Sequence, residues 1–276
     1  MEAALRHLLE SVAKSNGRIT VLTGAGISAE SSIPTFRGPE GYWTVGSQEY
    51  HPQEMATLGM FRKQPEEVWR WYLYRLGVCR NAHPNPGHQA LVDMEILFSD
   101  RFTLTTQNVD GLHLRAGNSL KRTFQIHGNI FFMRCAGSCS DTLYPVPDHV
   151  RGKQKDEPLT DADRSLIRCP DCGGYARPHV LWFDESYNEA YYKFHSSLKV
   201  AAETTLLLII GTSGATNLPN QVAWVVREAG GWIVDINIEP NPFTRLAEDS
   251  GRGFFVQKPS GSALPEILEV FKQALG

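Results

Sequence analysis

The 276-residue sequence lacks the marks of several large protein classes. Its longest apolar run, residues 206–211, is far shorter than the roughly 20 residues of a membrane-spanning helix and fits a buried strand. It also lacks an excess of positive charge, because 27 Lys and Arg stand against 30 Asp and Glu, a net charge of −3. This balance argues against a protein that coats nucleic acid and against a nucleic-acid-binding zinc ribbon.

Cysteine is scarce as well, with five residues in the chain. Residues 1–17 have an amphipathic helical pattern with charges inside it, rather than the continuous apolar segment of a signal peptide. We therefore expect a cytoplasmic protein in a reducing compartment, where cysteine serves metal binding or catalysis rather than disulfide formation. We expect a monomer, without nucleic-acid or membrane partners.

Short apolar runs alternate with helical segments along most of the chain. The pattern predicts strands over residues 18–23, 102–106, 205–211, 231–236 and 253–256. It predicts helices over residues 1–15, 65–79, 87–97, 188–200, 219–229 and 263–275. Such alternation is typical of an α/β fold, with a Rossmann-like parallel sheet covered by helices on both faces.

Two regions interrupt this alternation and predict a second, smaller lobe. They are a helical insertion at residues 37–86 and a cysteine-containing insertion at residues 128–178. The Rossmann-like domain is then discontinuous and consists of residues 1–36, 87–127 and 179–276. A cleft between two lobes is the usual place for a ligand.

A glycine-rich loop follows the first predicted strand, where the sequence from Gly24 to Ala29 is GAGISA. This matches the G-x-G-x-x-A pattern, in which glycines let the backbone approach a pyrophosphate and the next helix start offers free N–H groups. The same residues also fit a tight strand–helix turn without a ligand. A Rossmann site also needs an acidic residue at the end of the second strand, about 20 positions later. The stretch from Glu40 to Trp43 is not a strand end, so a dinucleotide ribose needs other partners. Asn237 and residues 211–213, both just after predicted strands, are candidates.

Four of the cysteines form two close pairs, Cys135 with Cys139 and Cys169 with Cys172. Two thiolate pairs on short turns predict a tetrahedral zinc site. Four protein ligands leave no open position, so we expect the zinc to be structural. Four unrelated buried cysteines, or an iron–sulfur site, are the alternatives. The fifth cysteine, Cys79, fits a core position in a predicted helix.

A polar cluster and a histidine are the remaining candidates for chemistry. Gln107, Asn108 and Asp110 follow the strand predicted at residues 102–106, and such side chains are costly to bury without partners. His127 lies at the junction with the cysteine-containing insertion, where an imidazole can act as a base. A structural histidine with satisfied hydrogen bonds is the alternative.

Taken together, these motifs resemble the sirtuins, the NAD-dependent protein lysine deacylases. The resemblance runs from residue 19 to about residue 261 and rests on GAGIS at Gly24, PTFR at Pro34, QNVD at Gln107, HG at His127, the two cysteine pairs, and GTS at Gly211. It implies an enzyme that consumes NAD as a co-substrate and acts on an acylated lysine of a protein. It implies nicotinamide and O-acyl-ADP-ribose as products and one structural zinc.

The resemblance also implies a role for individual residues. His127 would be the general base, with Asn108 as a second catalytic residue. Val180, Leu181 and Phe183 belong to a segment that resembles the strand with which an extended substrate peptide pairs. The residues implied to contact NAD are Gly24, Ala25, Gly26, Ser28, Glu30, Thr35, Phe36, Arg37, Tyr42, Gln107, Asn108, Asp110, Gly211, Thr212, Ser213, Asn237 and Ser260.

Tyr72 and Arg75 indicate which acyl group is removed. Three positions apart, they share one face of the predicted helix, and a guanidinium beside a phenol can bind a carboxylate. With the small Ala56 and with Thr35 of the PTFR motif, the pair resembles the sirtuin branch that removes succinyl, malonyl and glutaryl groups, and acetyl is a further substrate to consider. Alternatively, Arg75 pairs with a surface acid and Tyr72 is a core residue.

The sequence departs from the family pattern at two places. Asp184 stands where the family usually has glycine, which adds a charge near the expected peptide groove. Residues 214–219 differ from the common form of the adenosine-side loop. Two other functions stay open: a protein mono-ADP-ribosyltransferase on the same fold, and a non-catalytic module that binds NAD or ADP-ribose.

Overall fold

The structure of the protein, a computed structural model, describes residues 1–34, 43–45, 48–148, 150–155 and 157–276. Its helices are α1 (Ala3–Lys14), α2 (Gly26–Ala29), α3 (Pro52–Met55), α4 (Leu58–Lys63), α5 (Pro65–Asn81), α6 (Pro86–Phe98), α7 (Leu112–Ala116), α8 (Asp161–Leu166), α9 (Glu189–Tyr192), α10 (Phe194–Ala202), α11 (Asn217–Glu228), α12 (Pro242–Asp249) and α13 (Ser260–Leu275). Its strands are β1 (Arg18–Thr23), β2 (Trp43–Val45), β3 (Gln48–Tyr50), β4 (Phe102–Thr106), β5 (Thr123–Gln125), β6 (Gly128–Cys135), β7 (Tyr144–Pro145), β8 (Ala176–Val180), β9 (Thr204–Ile210), β10 (Trp232–Asn237) and β11 (Gly253–Gln257). Within these ranges, no helix has the length and apolar character that crossing a membrane requires.

The main sheet has the strand order β11-β10-β9-β1-β4-β5, and all its neighbouring strands are parallel. After β1 the chain adds β4 and β5 on one side, then crosses over to add β9, β10 and β11 on the other. The strand order therefore reverses beside β1, and open α/β sheets bind ligands at the carboxyl ends of the strands next to such a reversal. The predicted Rossmann-like parallel sheet is confirmed.

Helices cover both faces of this sheet because its central strands are apolar on both sides. In β9, Leu206, Leu208 and Ile210 belong to a core with α1, α6 and α13. Leu207 and Ile209 point to the other face, into a core with α10, α11 and α12. All five side chains are fully buried, so the alternation of side chains along one strand supplies both cores.

A third hydrophobic core joins the helical insertion to the cysteine-containing insertion. Trp69 and Leu73 of α5 pack there with Met133 of β6 and Ala176 of β8. The Trp69 indole N–H donates to the Ala176 carbonyl at 2.8 Å. β6 pairs with β7 and β8 in an antiparallel sheet. The two insertions thus share one core, while their bounds at residues 37–86 and 128–178 stay a prediction.

Some elements differ from the sequence prediction. The helix predicted at residues 188–200 is interrupted at Lys193, whose φ of 52° lies in the left-handed region, so the segment forms α9 and α10. β5 and α7 were not predicted, because elements of three and five residues are too short to show a periodicity. The five predicted strands lie within one residue of the observed bounds, and the other predicted helices within three.

Candidate active site

A cavity of about 1150 Å³ lies along the carboxyl ends of the central strands and continues to helix α5. Gly24, Gly211 and Asn237 line one end, which we call the nucleotide end. Tyr72 and Arg75 line the other, which we call the acyl end. Typical small-ligand pockets measure roughly 300–1,000 Å³, so this cavity has room for more than one ligand group.

The glycine-rich loop at the nucleotide end is attached to the loop after β9 through the backbone. The Gly24 N–H donates to the Ile210 carbonyl at 2.9 Å, and the Gly26 N–H donates to the Gly211 carbonyl at 2.8 Å. A Cβ atom on Gly26 would lie 2.6 Å from Gly211 Cα, so only glycine fits. Because these two N–H groups are used inside the protein, neither is available to a pyrophosphate, and α2, which follows, is a single turn.

Asn108 lines the cavity and is held from behind by Ser28 and Asp110. Its Nδ2 donates to the Gly24 carbonyl and to Ser28 Oγ, both at 3.1 Å. Ser28 Oγ donates to Asp110 at 2.7 Å, and burial raises the pKa of Asp110. Both amide hydrogens of Asn108 are thus used inside the protein, so a ligand can meet only its acceptor, Oδ1. Ser28 and Asp110 are buried behind Asn108 and do not line the cavity.

His127 lines the cavity between its two ends. Its Nδ1 lies 3.0 Å from the Gln107 carbonyl oxygen. A carbonyl only accepts, so Nδ1 carries the hydrogen and Nε2 has the free lone pair, which accepts from the Tyr187 hydroxyl at 2.8 Å. Burial lowers the pKa of His127 to about 4, although the bond to Gln107 acts in the opposite direction. The imidazole is therefore neutral near pH 7, and Nε2 can act as a base.

Several polar residues predicted to contact NAD come together around Thr212. Gln107 Nε2 donates to Thr212 Oγ1 at 2.8 Å, and Gln107 Oε1 accepts from Thr216 at 3.0 Å. Asn237 Nδ2 donates to the Thr212 carbonyl at 2.9 Å. Ser213 lines the same part of the cavity. These contacts fix the loop after β9 to the ends of β4 and β10.

Glu30 connects the glycine-rich segment to helix α13. Its Oε2 accepts from Ser260 Oγ at 3.0 Å and from the Gly261 N–H at 2.8 Å. A carboxylate at a helix N-terminus is favourable because it meets unpaired N–H groups and the positive end of the helix dipole. Glu30, Ser260 and Ala25 all line the cavity. Thr35, Phe36, Arg37 and Tyr42 lie outside the described residues.

The acyl end is formed by helix α5 and by the segment that follows β8. The Trp182 indole N–H donates to the Tyr72 hydroxyl oxygen at 2.9 Å, which leaves the Tyr72 O–H hydrogen for another acceptor. Burial raises the pKa of Tyr72, so the phenol stays neutral and remains a donor. The Arg75 guanidinium lies one turn further along α5, 5.3 Å from the centre of the Trp71 ring. The small Ala56 lines the same end.

The segment predicted to pair with a substrate peptide is not a free strand edge. β8 ends at Val180, and the Leu181 N–H donates to the His127 carbonyl at 2.9 Å. The Phe183 N–H donates to the Ala56 carbonyl at 3.0 Å. These two N–H groups are therefore not available to a peptide, and the backbone pairing, which stays a prediction, would have to use other backbone groups of the segment. Their side chains and Val180 still line the cavity.

Asp184, the predicted extra charge near the peptide groove, has a capping role. Its two carboxylate oxygens accept from the N–H groups of Leu58 at 2.7 Å and Gly59 at 3.0 Å, in the first turn of α4. These bonds attach the segment after β8 to the helical insertion. The charge is thus compensated by helix N–H groups rather than directed into the cavity.

The four paired cysteines converge on one point. Their sulfur atoms all lie within 4.8 Å of one another, with 3.7 Å between Cys135 and Cys172 and 3.6 Å between Cys139 and Cys169. Ligands about 2.3 Å from a tetrahedral zinc are about 3.8 Å apart, so the residues fit one zinc ion. Cys79 is buried in α5, and burial raises its pKa to about 12, which agrees with a core role.

Two hydrogen bonds at the site were not predicted from the sequence. Tyr187 is hydrogen-bonded to His127, and Trp182 is hydrogen-bonded to Tyr72. Tyr187 lies outside the motifs named above, and Trp182 lies in the segment that resembles the substrate strand, without a signal for its partner. The partners are 60 and 110 positions apart in the chain, and a long-range side-chain pair leaves no periodic pattern.

Comparison with known proteins gives a consistent result. The sequence profile described as the Sir2 family matches residues 24–217. The NAD-dependent protein deacylase of Leptospira interrogans (serovar copenhageni, strain Fiocruz L1-130) is 40% identical over 91% of this chain and 92% of the relative. The NAD-dependent protein deacylase 2 of Pyrobaculum aerophilum is 38% identical over 95% and 94%. A solved Sir2 homologue in complex with NAD has a TM-score of 0.80 and 31% identity, over 98% of this chain and 94% of that one.

Proposed function

Because the chain belongs to the Sir2 family, we propose that it is an NAD-dependent protein lysine deacylase that prefers acidic acyl groups: succinyl, malonyl and glutaryl. The names of the relatives support the deacylase activity. One observation carries the proposed preference for acidic acyl groups. A single cavity has a neutral histidine between its ends and a guanidinium beside a phenol at its acyl end.

At the nucleotide end, hydrogen bonds within the protein fix the loops that would contact NAD, and this supports NAD binding. Gly24 and Gly211 bring two loops together, and Gln107 fixes the second of them through Thr212. Asn108 Oδ1 is the atom that can accept from a ribose hydroxyl. As co-substrate, NAD supplies the ribose carbon that takes the acyl oxygen when the bond to nicotinamide breaks.

His127 is the general base of this proposal. Its Nε2 lone pair accepts the proton of a ribose hydroxyl, and the Gln107 carbonyl stabilises the imidazolium that results, through Nδ1–H. A positioned base of this kind contributes about 10²–10⁴ in rate. The low pKa of His127 keeps the free imidazole unprotonated near pH 7.

The acyl end supports a preference for a terminal carboxylate. Arg75 can donate charge-assisted hydrogen bonds to this carboxylate. Tyr72 can donate one more, because its oxygen accepts from Trp182 and its hydroxyl hydrogen is left for the ligand. Ala56 leaves space at this end. An acetyl group has no carboxylate and gains none of these bonds, of which a bond between the two charged groups is worth about 1.5–3 kcal/mol.

The cysteine cluster takes no direct part in this chemistry. Four thiolates complete the coordination sphere of a tetrahedral zinc and leave no position for a substrate. A zinc ion there would cross-link β6 to the turn before β8, since Cys135 ends β6 and Cys172 lies in that turn. Its contribution is to the stability of the smaller lobe.

A panel of peptides tests the proposal. The 276-residue chain is incubated with acetyl-, succinyl-, malonyl- and glutaryl-lysine peptides of one sequence, with and without NAD, and the products are read by mass spectrometry. We expect NAD-dependent loss of the acyl group with equal release of nicotinamide, and the highest kcat/KM for an acidic acyl group. Transfer of ADP-ribose to protein would indicate a transferase, and binding of NAD without turnover a binding module. Either result contradicts the proposal.

A further inference from the structure

One phenol in the cavity has no part in the proposed reaction. The Tyr187 hydroxyl donates to His127 Nε2 at 2.8 Å, and the two rings are 5.8 Å apart. On its other side, the Tyr187 ring stacks on Phe194 with centroids 6.2 Å apart. Nε2 carries the only lone pair of the neutral imidazole, which is the one that has to accept the ribose proton. Tyr187 therefore occupies the working atom of the base.

The phenol oxygen also has a donor on the side away from His127. This donor is the Leu218 N–H, in the first turn of α11. The hydroxyl of Thr216, just before that turn, donates to Gln107 Oε1 at 3.0 Å, and the Gln107 carbonyl holds His127 Nδ1. Tyr187 thus lies between the histidine and the adenosine-side loop.

This bonding sets the tyrosine against the co-substrate. The phenol has one hydrogen, which goes to His127 Nε2 at 2.8 Å. The neutral imidazole has one lone pair at Nε2, so this atom accepts one hydrogen at a time. A ribose hydroxyl that gives its proton to Nε2 therefore competes with Tyr187 for that atom.

We propose that Tyr187 is a positioning residue that occupies Nε2 of His127 until NAD binds, and then gives this atom up to a ribose hydroxyl. The inference rests on the proposed function, because it takes His127 as the base of an NAD-dependent reaction. Exchange of one O–H···N bond for another keeps the imidazole in the same tautomer throughout. It also means that Tyr187 competes with the co-substrate and weakens NAD binding.

Tyr187→Phe tests this competition because it removes the hydroxyl and keeps the ring on Phe194. Loss of one competing hydrogen bond predicts an NAD dissociation constant about 2- to 12-fold lower, measured by titration calorimetry on the full chain without peptide. In steady state, KM for NAD falls and kcat is kept. Tyr191→Phe is the matched control, because its hydroxyl donates to Asp141 at 3.0 Å outside the cavity, and it should leave NAD affinity unchanged. Unchanged or weaker NAD binding by Tyr187→Phe, or a fall in kcat without tighter binding, would overturn the proposal.

A second measurement on the unaltered protein keeps the test decisive if Tyr187→Phe does not fold. Tyrosine labelled with ¹³C at Cζ reports the hydrogen bonding of the phenol by NMR. We expect the Tyr187 signal to shift on saturation with NAD and the Tyr191 signal to stay in place. A Tyr187 signal that does not move, in a protein that binds NAD and removes acyl groups, overturns this inference alone. A protein that binds no NAD overturns the proposed function as well.

Discussion

The two ends of the cavity are built in different ways. At the nucleotide end, loops at the edge of the parallel sheet meet through their backbones, as in the 2.8 Å bond from Gly26 to Gly211. At the acyl end, side chains from distant segments meet, as in the 2.9 Å bond from Trp182 to Tyr72. Substitutions near the nucleotide should therefore affect every acyl substrate, whereas substitutions at the acyl end should change the choice among them.

The largest effect is expected for His127→Ala, between the two ends. Loss of the base should lower kcat about 10²- to 10⁴-fold on both succinyl- and acetyl-lysine peptides. Steady-state rates of nicotinamide release measure this, and a thermal unfolding curve confirms that the variant folds. His195→Ala is the matched control, because His195 is exposed and does not line the cavity. A loss confined to one acyl group would show that His127 belongs to the acyl end.

Arg75→Met should have the next largest effect, and only on acidic acyl groups. Loss of a charge-assisted bond worth about 1.5–3 kcal/mol corresponds to a decrease of about 12- to 160-fold in kcat/KM for succinyl-lysine, with acetyl-lysine kept. Arg70→Met is the control on the same helix, because Arg70 pairs with Glu67 at 2.9 Å away from the cavity. Equal losses on both peptides would remove the carboxylate role of Arg75.

The pH dependence tests the protonation state of His127. Burial lowers the pKa of His127 to about 4, so the imidazole takes up a proton only as the pH approaches that value. At pH 5.5 the enzyme should therefore keep most of its kcat/KM on acetyl-lysine, where a histidine of ordinary pKa near 6.5 would lose about tenfold. The acetyl peptide is used because it has no acyl carboxylate that titrates. Half-loss of activity near pH 6.5 would contradict the neutral state of His127.

Tyr72→Phe should have the smallest effect. It removes one neutral donor to the acyl carboxylate and keeps the ring, so kcat/KM for succinyl-lysine should fall about 2- to 12-fold. Activity on acetyl-lysine should stay within about twofold, the low end of that range. Tyr74→Phe is the control, because the Tyr74 ring lies against Lys155 and not in the cavity. A larger loss on acetyl- than on succinyl-lysine would place Tyr72 outside carboxylate recognition.

The same contrast explains how much the sequence could predict. Gly24, Gln107 and Gly211 could be brought to one site because each follows a parallel strand, and the carboxyl ends of such strands meet at one edge of the sheet. The metal site could be predicted equally well, because the spacing of the two cysteine pairs alone indicates it. Local sequence and sheet topology were sufficient to place these three residues at one edge of the sheet and the four cysteines at one point.

The rest depends on contacts that local sequence does not encode. Trp182 meets Tyr72 across 110 positions, and Tyr187 meets His127 across 60. Backbone pairing of a peptide with the segment after β8 was predicted from the resemblance. The Leu181 N–H, however, is already bonded to the His127 carbonyl, which only the folded chain shows. The partner of a hydrogen bond between distant residues is set by packing and not by a sequence pattern.

The central claim is that the acyl end recognises a carboxylate. A crystal structure of the full chain with a succinyl-lysine peptide and ADP-ribose tests it most directly. We predict that the terminal carboxylate lies about 2.7–2.9 Å from the Arg75 guanidinium and within hydrogen-bond distance of the Tyr72 hydroxyl. A succinyl group in the cavity whose carboxylate points to solvent, with neither residue in contact, would contradict it.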